Sequence, residues 1–364
     1  MKVPYVNLGL QYEKDLEKII EKVGQLLSSG QFILAAEVQN FERSFAKLCG
    51  TKFAIGVANG TDALVLAIKA IGVKKDEQII TAPNSFLASA SSIVLAGCVP
   101  VFADVGADYN IDPKEIEKKI TDKTRAIIPV HLTGNPARMD EINKLAAKYN
   151  LKVIEDAAQA VGAKYKGMTV GGLGDLACFS LHPLKNLSAA GDGGMITTNN
   201  EDYYNFLLNA RNHGLKSRDE CGFFSLNSRL DNLQAAILNV KINNLESWNR
   251  RRREIAQKYI NALADLVELP IVDEEDEAVY HAFVIQTEDR KRLMDYLYNC
   301  GIDTKIHYPI PIHLQEASLN YFSEKQYFEN TEIQMTKIMS LPIYPELSDE
   351  QIEYVISCIK EFYN

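Results

Sequence analysis

Apolar residues recur three and four positions apart from Tyr12 to Leu27, charged residues fill the gaps, and the pattern stops at Ser28-Ser-Gly30. That spacing predicts an amphipathic helix, and Val38 to Leu48 repeats it. From Phe53 onward the pattern changes. Short β-rich runs at Gln78–Ala82, Val99–Ala103, Ala126–Val130, Leu151–Ile154 and Met195–Thr198 alternate with helical stretches at Asp62–Ile71, Phe86–Ala96, Pro113–Ile120 and Ala137–Tyr149. Strands that are apolar throughout and separated by helices predict a mostly parallel sheet covered on both faces. A further helix is expected to open at Asn227–Asp231 and run to about Arg253. Beyond it, predicted strands at Leu266–Ile271, Ala282–Gln286 and Thr304–Tyr308, with helices at Asp289–Cys300 and Ser348–Glu361, make a smaller α/β unit. The chain is therefore read as two domains, residues 1–245 and 246–364.

Composition narrows the function class. The 364 residues are 46% hydrophobic and 24% charged, enough to bury a large core. A net charge of -9 argues against nucleic-acid binding, which needs a basic face to displace counterions from phosphates. An anionic ligand must then find a local basic pocket. The N-terminus shows no signal pattern and no apolar run has the length of a membrane span, so a cytoplasmic protein without membrane contact is expected. Cysteines 49, 98, 178, 221, 300 and 358 are far apart, without a CxxC pair; reduced thiols and no metal site are expected.

The candidate chemistry centres on Lys185. It lies between two apolar runs, with Ser180 before it and Gly191, Gly193 and Gly194 after it, where glycine leaves the backbone open to a flat cofactor. Such a lysine suits Schiff-base chemistry once burial or a neighbouring cation lowers its pKa, whereas on this stretch alone a surface lysine in a glycine-rich turn is the better reading. Two other stretches bear on the choice. Leu151 to Asp156 reads as a buried strand that delivers Asp156 at its carboxyl end, where open α/β sheets bind ligands. A pyridoxal 5'-phosphate (PLP) site needs both a lysine and a carboxylate for the pyridinium nitrogen; Asp156 alone reads equally as a helix N-cap. Asn59, Gly60 and Thr61 open a strongly helical run, and a helix start with free N–H groups seats a phosphate. Gly172-Leu-Gly-Asp-Leu-Ala177 approaches a dinucleotide fingerprint but lacks the following helix and is set aside. His131 reads as a pocket residue or a core histidine. The run Arg250–Arg253 reads as a solvated helix face paired with Glu246 or Glu254, ahead of a diphosphate-binding role.

These motifs, in this order, resemble the DegT/StrS-type PLP-dependent nucleotide-sugar aminotransferases. The likeness runs from Val3-Pro-Tyr-Val-Asn-Leu8 through Glu155-Asp-Ala-Ala-Gln159 and Asn227-Ser-Arg-Leu-Asp231 to His307-Tyr-Pro-Ile-Pro-Ile-His313. The resemblance implies fold type I, like aspartate aminotransferase: a three-layer PLP-binding domain on a mostly parallel sheet, with a smaller C-terminal α/β domain. It implies Lys185 as the catalytic amine and Asp156 as the ring-nitrogen partner. Gly60, Thr61, Ser180 and Asn227 are implied at the cofactor phosphate, with Asn227 supplied by the neighbouring subunit of a homodimer with shared sites. Phe86 and Gln159 are implied on the two sides of the ring. Toward the substrate the residues are His182, Arg229, His307 and Tyr308; Arg229 reads equally as a phosphate ligand or a partner of Asp231. Thr133 departs from the aromatic residue more usual in the family.

The resemblance also implies glutamate as amino donor and a nucleotide-linked keto-sugar as acceptor. The stretches Asn59–Leu64, His281–Gln286 and Gly301–Thr304 resemble members that aminate C-3, which points to a dTDP-linked 3-keto-6-deoxyhexose; amination at C-4 of a UDP-, dTDP- or GDP-linked sugar is the alternative. A sugar dehydratase of the same fold is opposed by Lys185, because those enzymes carry histidine there and His182 stands three residues early. A non-catalytic regulator that keeps the fold is a remote third reading.

Overall fold

The computed structural model describes residues 1–321 and 326–364. Two helices, α1 (Leu16–Ser29) and α2 (Ala36–Cys49), lead into strand β1 (Phe53–Val57). Then follow α3 (Gly60–Ala70), β2 (Gln78–Thr81), α4 (Ala88–Leu95), β3 (Val99–Phe102), α5 (Pro113–Lys119), β4 (Thr124–Ile128), α6 (Met139–Tyr149) and β5 (Lys152–Asp156). A small hairpin, β6 (Lys164–Tyr165) and β7 (Met168–Thr169), precedes β8 (Leu176–Ser180), β9 (Gly194–Thr198), α7 (Glu201–Ala210), α8 (Asn232–Lys241) and α9 (Leu245–Leu263). The remainder is β10 (Phe283–Gln286), α10 (Arg290–Asn299), α11 (Glu329–Lys337), β11 (Ile338–Leu341) and α12 (Asp349–Tyr363). No helix among the described residues is long and apolar enough to cross a membrane.

Seven strands form one sheet in the order β1-β9-β8-β5-β4-β2-β3, in which β9 runs antiparallel to both its neighbours and the remaining pairs are parallel. This is the mixed α/β architecture of the sequence reading. Successive side chains on a strand point to opposite faces, so apolar runs bury two layers at once. On β4, Ile127 packs with Ile80, Ile116 and Ile142, while Ile128 packs with Leu64, Ile68 and Ile93 on the other face. Under β8 and β9, Phe41 and Phe45 of α2 meet Phe179, Leu181 and Met195. A separate core joins Ile255, Tyr259 and Leu263 of α9 to Phe283, Leu341 and Ile352, and Val3 from the N-terminus enters it.

The structure differs from the sequence pattern in several elements, beginning with β1 and β8, which lie outside the expected strands. Leu266–Ile271 and Thr304–Tyr308 are not strands but irregular segments, each touching the small sheet through one bridge, Glu268 to Gln286 and Lys305 to Ser340. Glu268 thus meets β10 and Lys305 meets β11, a four-residue strand that pairs antiparallel with β10 and lies outside the strands expected from the sequence. The helix expected to end near Arg253 is broken by a 3-10 turn at Ile242–Asn244 and resumes as α9, which runs to Leu263. Leu245, at its start, belongs to the first core and Ile255 to the second, so one helix spans both.

The end of β5 is held by a buried polar clamp. Glu155 and His131 are both 0% exposed, with His131 Nε2 3.1 Å from Glu155 Oε2. Ala137 N–H donates to His131 Nδ1 at 2.9 Å, so Nε2 carries the ring proton and donates to Glu155. The same carboxylate accepts the N–H groups of Gly171 (3.0 Å), Leu173 (2.8 Å) and Gly174 (2.8 Å). The glycine-rich stretch set aside as a dinucleotide fingerprint is thus a nest for a carboxylate of its own chain. His131 is a core histidine turned away from the pocket.

Glu155→Ala is expected to strand four donors, of which His131 Nε2–H and Gly171 N–H are fully buried and the Leu173 and Gly174 N–H groups partly so, a loss of about 2 kcal/mol or more of unfolding free energy. Glu155→Gln keeps an oxygen for two of them and should lose less. Urea unfolding of the three proteins measures the order; a cost below about 1 kcal/mol for the alanine variant would show that water replaces the carboxylate.

Candidate active site

Strand alternation sends Asp156 to the face opposite Glu155, at the carboxyl end of the sheet beside α3 and α4. Only 5% of it is exposed. Ser89 Oγ, on α4, donates to Asp156 Oδ2 at 2.7 Å, and Ala158 N–H reaches Oδ1 at 3.3 Å. Burial raises the Asp156 pKa, opposed by the Ser89 hydrogen bond, the Ala158 N–H and the positive charge of Lys185.

Lys185 is partly buried, and its pKa falls to about 8 because burial disfavours the ammonium, while the Asp156 carboxylate pulls it back up. An amine near 8 is about one fifth neutral at pH 7.4, against about a thousandth for a free lysine, which makes it far more available as a nucleophile or base. Its loop is fastened from behind at nearly every residue. Lys185 N–H donates to His182 O at 2.8 Å, Ala189 N–H to Leu181 O at 2.8 Å, Ala190 N–H to Gln234 Oε1 at 2.8 Å, and buried Lys241 Nζ donates to Ser188 Oγ at 2.7 Å. The Lys185 amine makes no hydrogen bond among the described residues, so the backbone is fixed while the amine stays free.

At the start of α3, Asn59 Oδ1 caps Asp62 N–H at 2.8 Å and Asn59 O accepts Ala63 N–H. The N–H groups of Gly60 and Thr61 have no partner among the described residues and form an anion seat. Glycine at 60 is required by packing: a Cβ there would stand 2.8 Å from Ser180 Cβ. Ser180 therefore abuts the seat, its Oγ accepting His182 N–H at 3.3 Å.

Gln159 is bridged on both sides, Oε1 accepting Thr133 N–H at 2.7 Å and Nε2 donating to Tyr308 Oη at 3.3 Å. Phe86 is 54% exposed, with its ring centroid 5.7 Å from that of Tyr308. His307 Nδ1 lies 2.9 Å from Ser340 Oγ, and burial, with Lys185 and Lys305 nearby, lowers its pKa to about 4. It is neutral at physiological pH. Tyr308 is shifted upward by burial and stays a phenol. Lys185, Asp156, Gln159, His307 and Tyr308 are thus neighbours of one another, with Phe86 against Tyr308 and Ser180 against the helix start at Gly60. His182 is exposed at the head of the lysine loop. Asn227 is exposed and its neighbour Ser228 accepts Ala58 N–H at 3.1 Å. Arg229 donates to Asn212 Oδ1 at 3.0 Å and pairs with neither Asp231 nor another carboxylate among the described residues.

The arginine run divides. Arg251 pairs with Asp349 and Glu254, and Arg253 with Glu246 and Glu277, as expected of a solvated face. Arg252 is instead buried, its Nη1 donating to Tyr280 O at 3.1 Å and Ile343 O at 2.8 Å. Sequence reasoning missed Ser89, one of several serines in a small-residue helix. It also missed His281, whose buried Nδ1 has no partner and whose pKa is pushed down by burial and then by Lys185.

A free amine of lowered pKa, a buried carboxylate with a hydroxyl donor and an open helix start together fit PLP, which bears an aldehyde, a ring nitrogen and a phosphate. The comparisons agree. The pattern of the DegT/DnrJ/EryC1/StrS aminotransferase family matches residues 13–360. The chain is 43% identical to the dTDP-3-amino-3,6-dideoxy-alpha-D-galactopyranose transaminase of Aneurinibacillus thermoaerophilus, over 99% of both chains. It is 41% identical to the pleiotropic regulatory protein of Geobacillus stearothermophilus, over 100% of this chain and 99% of that one. The crystal structure of DesV from S. venezuelae superposes with a TM-score of 0.97 at 36% identity, covering 100% of this chain and 99% of that one. The chain belongs to the DegT/DnrJ/EryC1/StrS aminotransferase family, with fold type I architecture, and is a PLP-dependent sugar aminotransferase.

In full-length protein stripped of cofactor, Lys185 is expected to react with an amine reagent with a midpoint near pH 8, while exposed lysines need about 10.4. The neutral, reactive form grows as pH rises through that midpoint. Asp156→Asn removes the charge that raises the Lys185 pKa, so its midpoint should fall below that of wild type. Competitive labelling read by peptide mass spectrometry measures both; a wild-type midpoint near 10 would mean an amine open to water.

Proposed function

We propose that this family member transfers an amino group from glutamate to the keto carbon of a nucleotide-linked sugar, at C-3 of a dTDP-linked 3-keto-6-deoxyhexose. The observation that carries the reading is the pairing of Lys185 and Asp156 at the carboxyl end of the sheet, beside the open start of α3.

Bound there, PLP supplies an electron sink for the pair released when the donor's α-carbon loses its proton. Lys185 would anchor the cofactor through its amine and then, once displaced by the donor, carry the proton as general base. Asp156, steadied by Ser89, would keep the ring nitrogen protonated. The N–H groups of Gly60 and Thr61, with Ser180, would hold the phosphate, and Gln159 and Phe86 would flank the ring. His182, Arg229, His307 and Tyr308 would face the sugar nucleotide, His307 as a neutral hydrogen-bonding group. The assembly would be a homodimer in the cytoplasm, with Asn227 reaching the phosphate of the neighbouring site; exposed Asn227 and the 98% exposed Phe224 beside it support a face that needs a partner. C-3 is favoured by the Aneurinibacillus relative, whose name specifies a 3-amino sugar. The relative named as a regulator keeps a non-catalytic reading in play, against which the complete Lys185 and Asp156 pair counts.

Lys185→Ala is expected to lose transamination, and borohydride should fix cofactor to wild type only; a labelled variant would refute the assignment. Offering 3-keto and 4-keto dTDP- and UDP-sugars with glutamate, and locating the new amine by NMR, should give a 3-amino dTDP-sugar. An amine found only at C-4 would overturn the regiochemistry and leave the lysine chemistry standing.

Mixing inactive Lys185→Ala chains with inactive Asn227→Ala chains should restore activity in part, because a hybrid dimer with shared sites holds one intact site. No rescue, with hybrid formation verified by native mass spectrometry, would count against a crossing Asn227.

A further inference from the structure

The residue that follows the lysine is itself buried and bonded in a way the reaction does not use. Asn186 Nδ2 donates to Asn249 Oδ1 at 2.9 Å and to Val279 O at 3.0 Å. Asn249, fully buried on α9, passes its own Nδ2 to Val161 O at 3.0 Å, just beyond the Asp156–Gln159 segment. Val279 N–H in turn bonds Gly134 O at 3.0 Å, beside Thr133. One amide therefore ties the lysine loop to α9, to the strand-end segment behind Gln159 and to the segment that carries His281.

The other end of that amide looks into a cavity of ≈ 10 Å³ lined by Gln11, Asn186, Trp248, Arg252, Pro345 and Glu346. Three buried side-chain atoms without partners belong to residues of this lining: Asn186 Oδ1, Arg252 Nε and Glu346 Oε2. One is a donor and two are acceptors. One water there would accept from Arg252 Nε–H and donate to Asn186 Oδ1 and Glu346 Oε2, and a cavity of roughly 10–15 Å³ with two to four polar partners is what one buried water needs. Unfilled, the three groups would carry the cost of buried unpaired polar atoms.

We propose that Asn186 is a positioning residue for Lys185, locking the lysine loop to α9 and the Val279 segment, and that one buried water held by Arg252 and Glu346 completes the lock. The proposal rests on Lys185 being the reactive amine. The lock acts by keeping the amine turned into the pocket and out of water, the burial on which its lowered pKa depends.

The test is the labelling midpoint of Lys185 in the full-length protein, with Asp156, His281 and His307, the titratable groups coupled to it, left unchanged. Asn186→Ala should move the midpoint upward by about one unit or more, toward the 10.4 of a free lysine. At pH 7.5 the second-order rate of PLP attachment should fall about tenfold with it. Asn249→Ala, which cuts the same link from its far side, should do likewise, and the double variant should add little, because both break one connection. A purely structural role predicts a lower Tm with the midpoint still near 8, which would overturn the proposal. The two single variants guard against one failing to fold, and emission of Trp248, the chain's one tryptophan and a wall of the cavity, reports folding there directly. A crystal structure of the wild type should show one water peak between Arg252, Glu346 and Asn186; a dry cavity would remove the water from the proposal. Because labelling does not require catalysis, failure of Lys185 as the catalytic amine would appear as unlabelled reduction by borohydride, separately from the midpoint.

Discussion

The structure depends on holding a carboxylate and an amine in one poorly hydrated pocket, each in a state that water would oppose. Burial raises the pKa of Asp156 and lowers that of Lys185, and each is pulled back by the charge of the other. Neither group is useful at its extreme: a protonated Asp156 could not hold a ring nitrogen's proton, and a fully charged Lys185 could not attack a carbonyl. The working balance is set by placement, and electrostatic interactions in a low-dielectric pocket are sensitive to small displacements. The frame must therefore be stiff on both sides of β5. Glu155 and His131 fasten one face of the strand end, Ser89 steadies the carboxylate on the other, and the hydrogen bonds behind the lysine loop fix its backbone.

The same logic explains where polar residues are buried in this chain. Lys241, Arg252 and Asn249 are nearly inaccessible, yet each is spent on backbone carbonyls or hydroxyls that brace the lysine loop or the segment bearing His281. A buried cation costs several kcal/mol unless its donors are satisfied. Arg252 satisfies part of its fork with two carbonyls from separate segments, which makes it a tie between them more than a source of net stability.

Five strands of the large sheet, β2, β3, β4, β5 and β9, are readable because hydrophobic runs separated by helices of ordinary period mark them; β1 and β8 lie outside the expected strands. Lys185, Asp156 and the Asn59–Thr61 helix start were readable for a related reason: each stands at the junction of a regular element and a loop, where the chemistry of the residue and the position of the junction agree. The small sheet was not readable. Thr304–Tyr308 alternates like a strand yet makes only one bridge to the small sheet, while β11 follows α11 directly and has only four residues to mark it. Ser89, Asn186 and His281 carried no signal, because their significance lies in partners 67, 63 and about a hundred positions away in sequence.

Substrate choice is least legible for a physical reason that the pocket makes plain. The groups proposed to hold PLP sit on β5, on the lysine loop and at a helix start, where backbone hydrogen bonding restricts both position and residue type. The walls that would meet the sugar are Thr133, His307, Tyr308 and Phe86, on irregular segments that reach across from both cores. C-3 and C-4 of a hexose are adjacent carbons, about 1.5 Å apart, so exchanging one reacting centre for the other requires only a small turn of the ring against those walls. A contact such as Gln159 to Tyr308 can change that registry while leaving Lys185 and Asp156 untouched. On the proposed assignment the reaction type rests on the regular elements, and the choice between neighbouring carbons rests on the irregular segments around them.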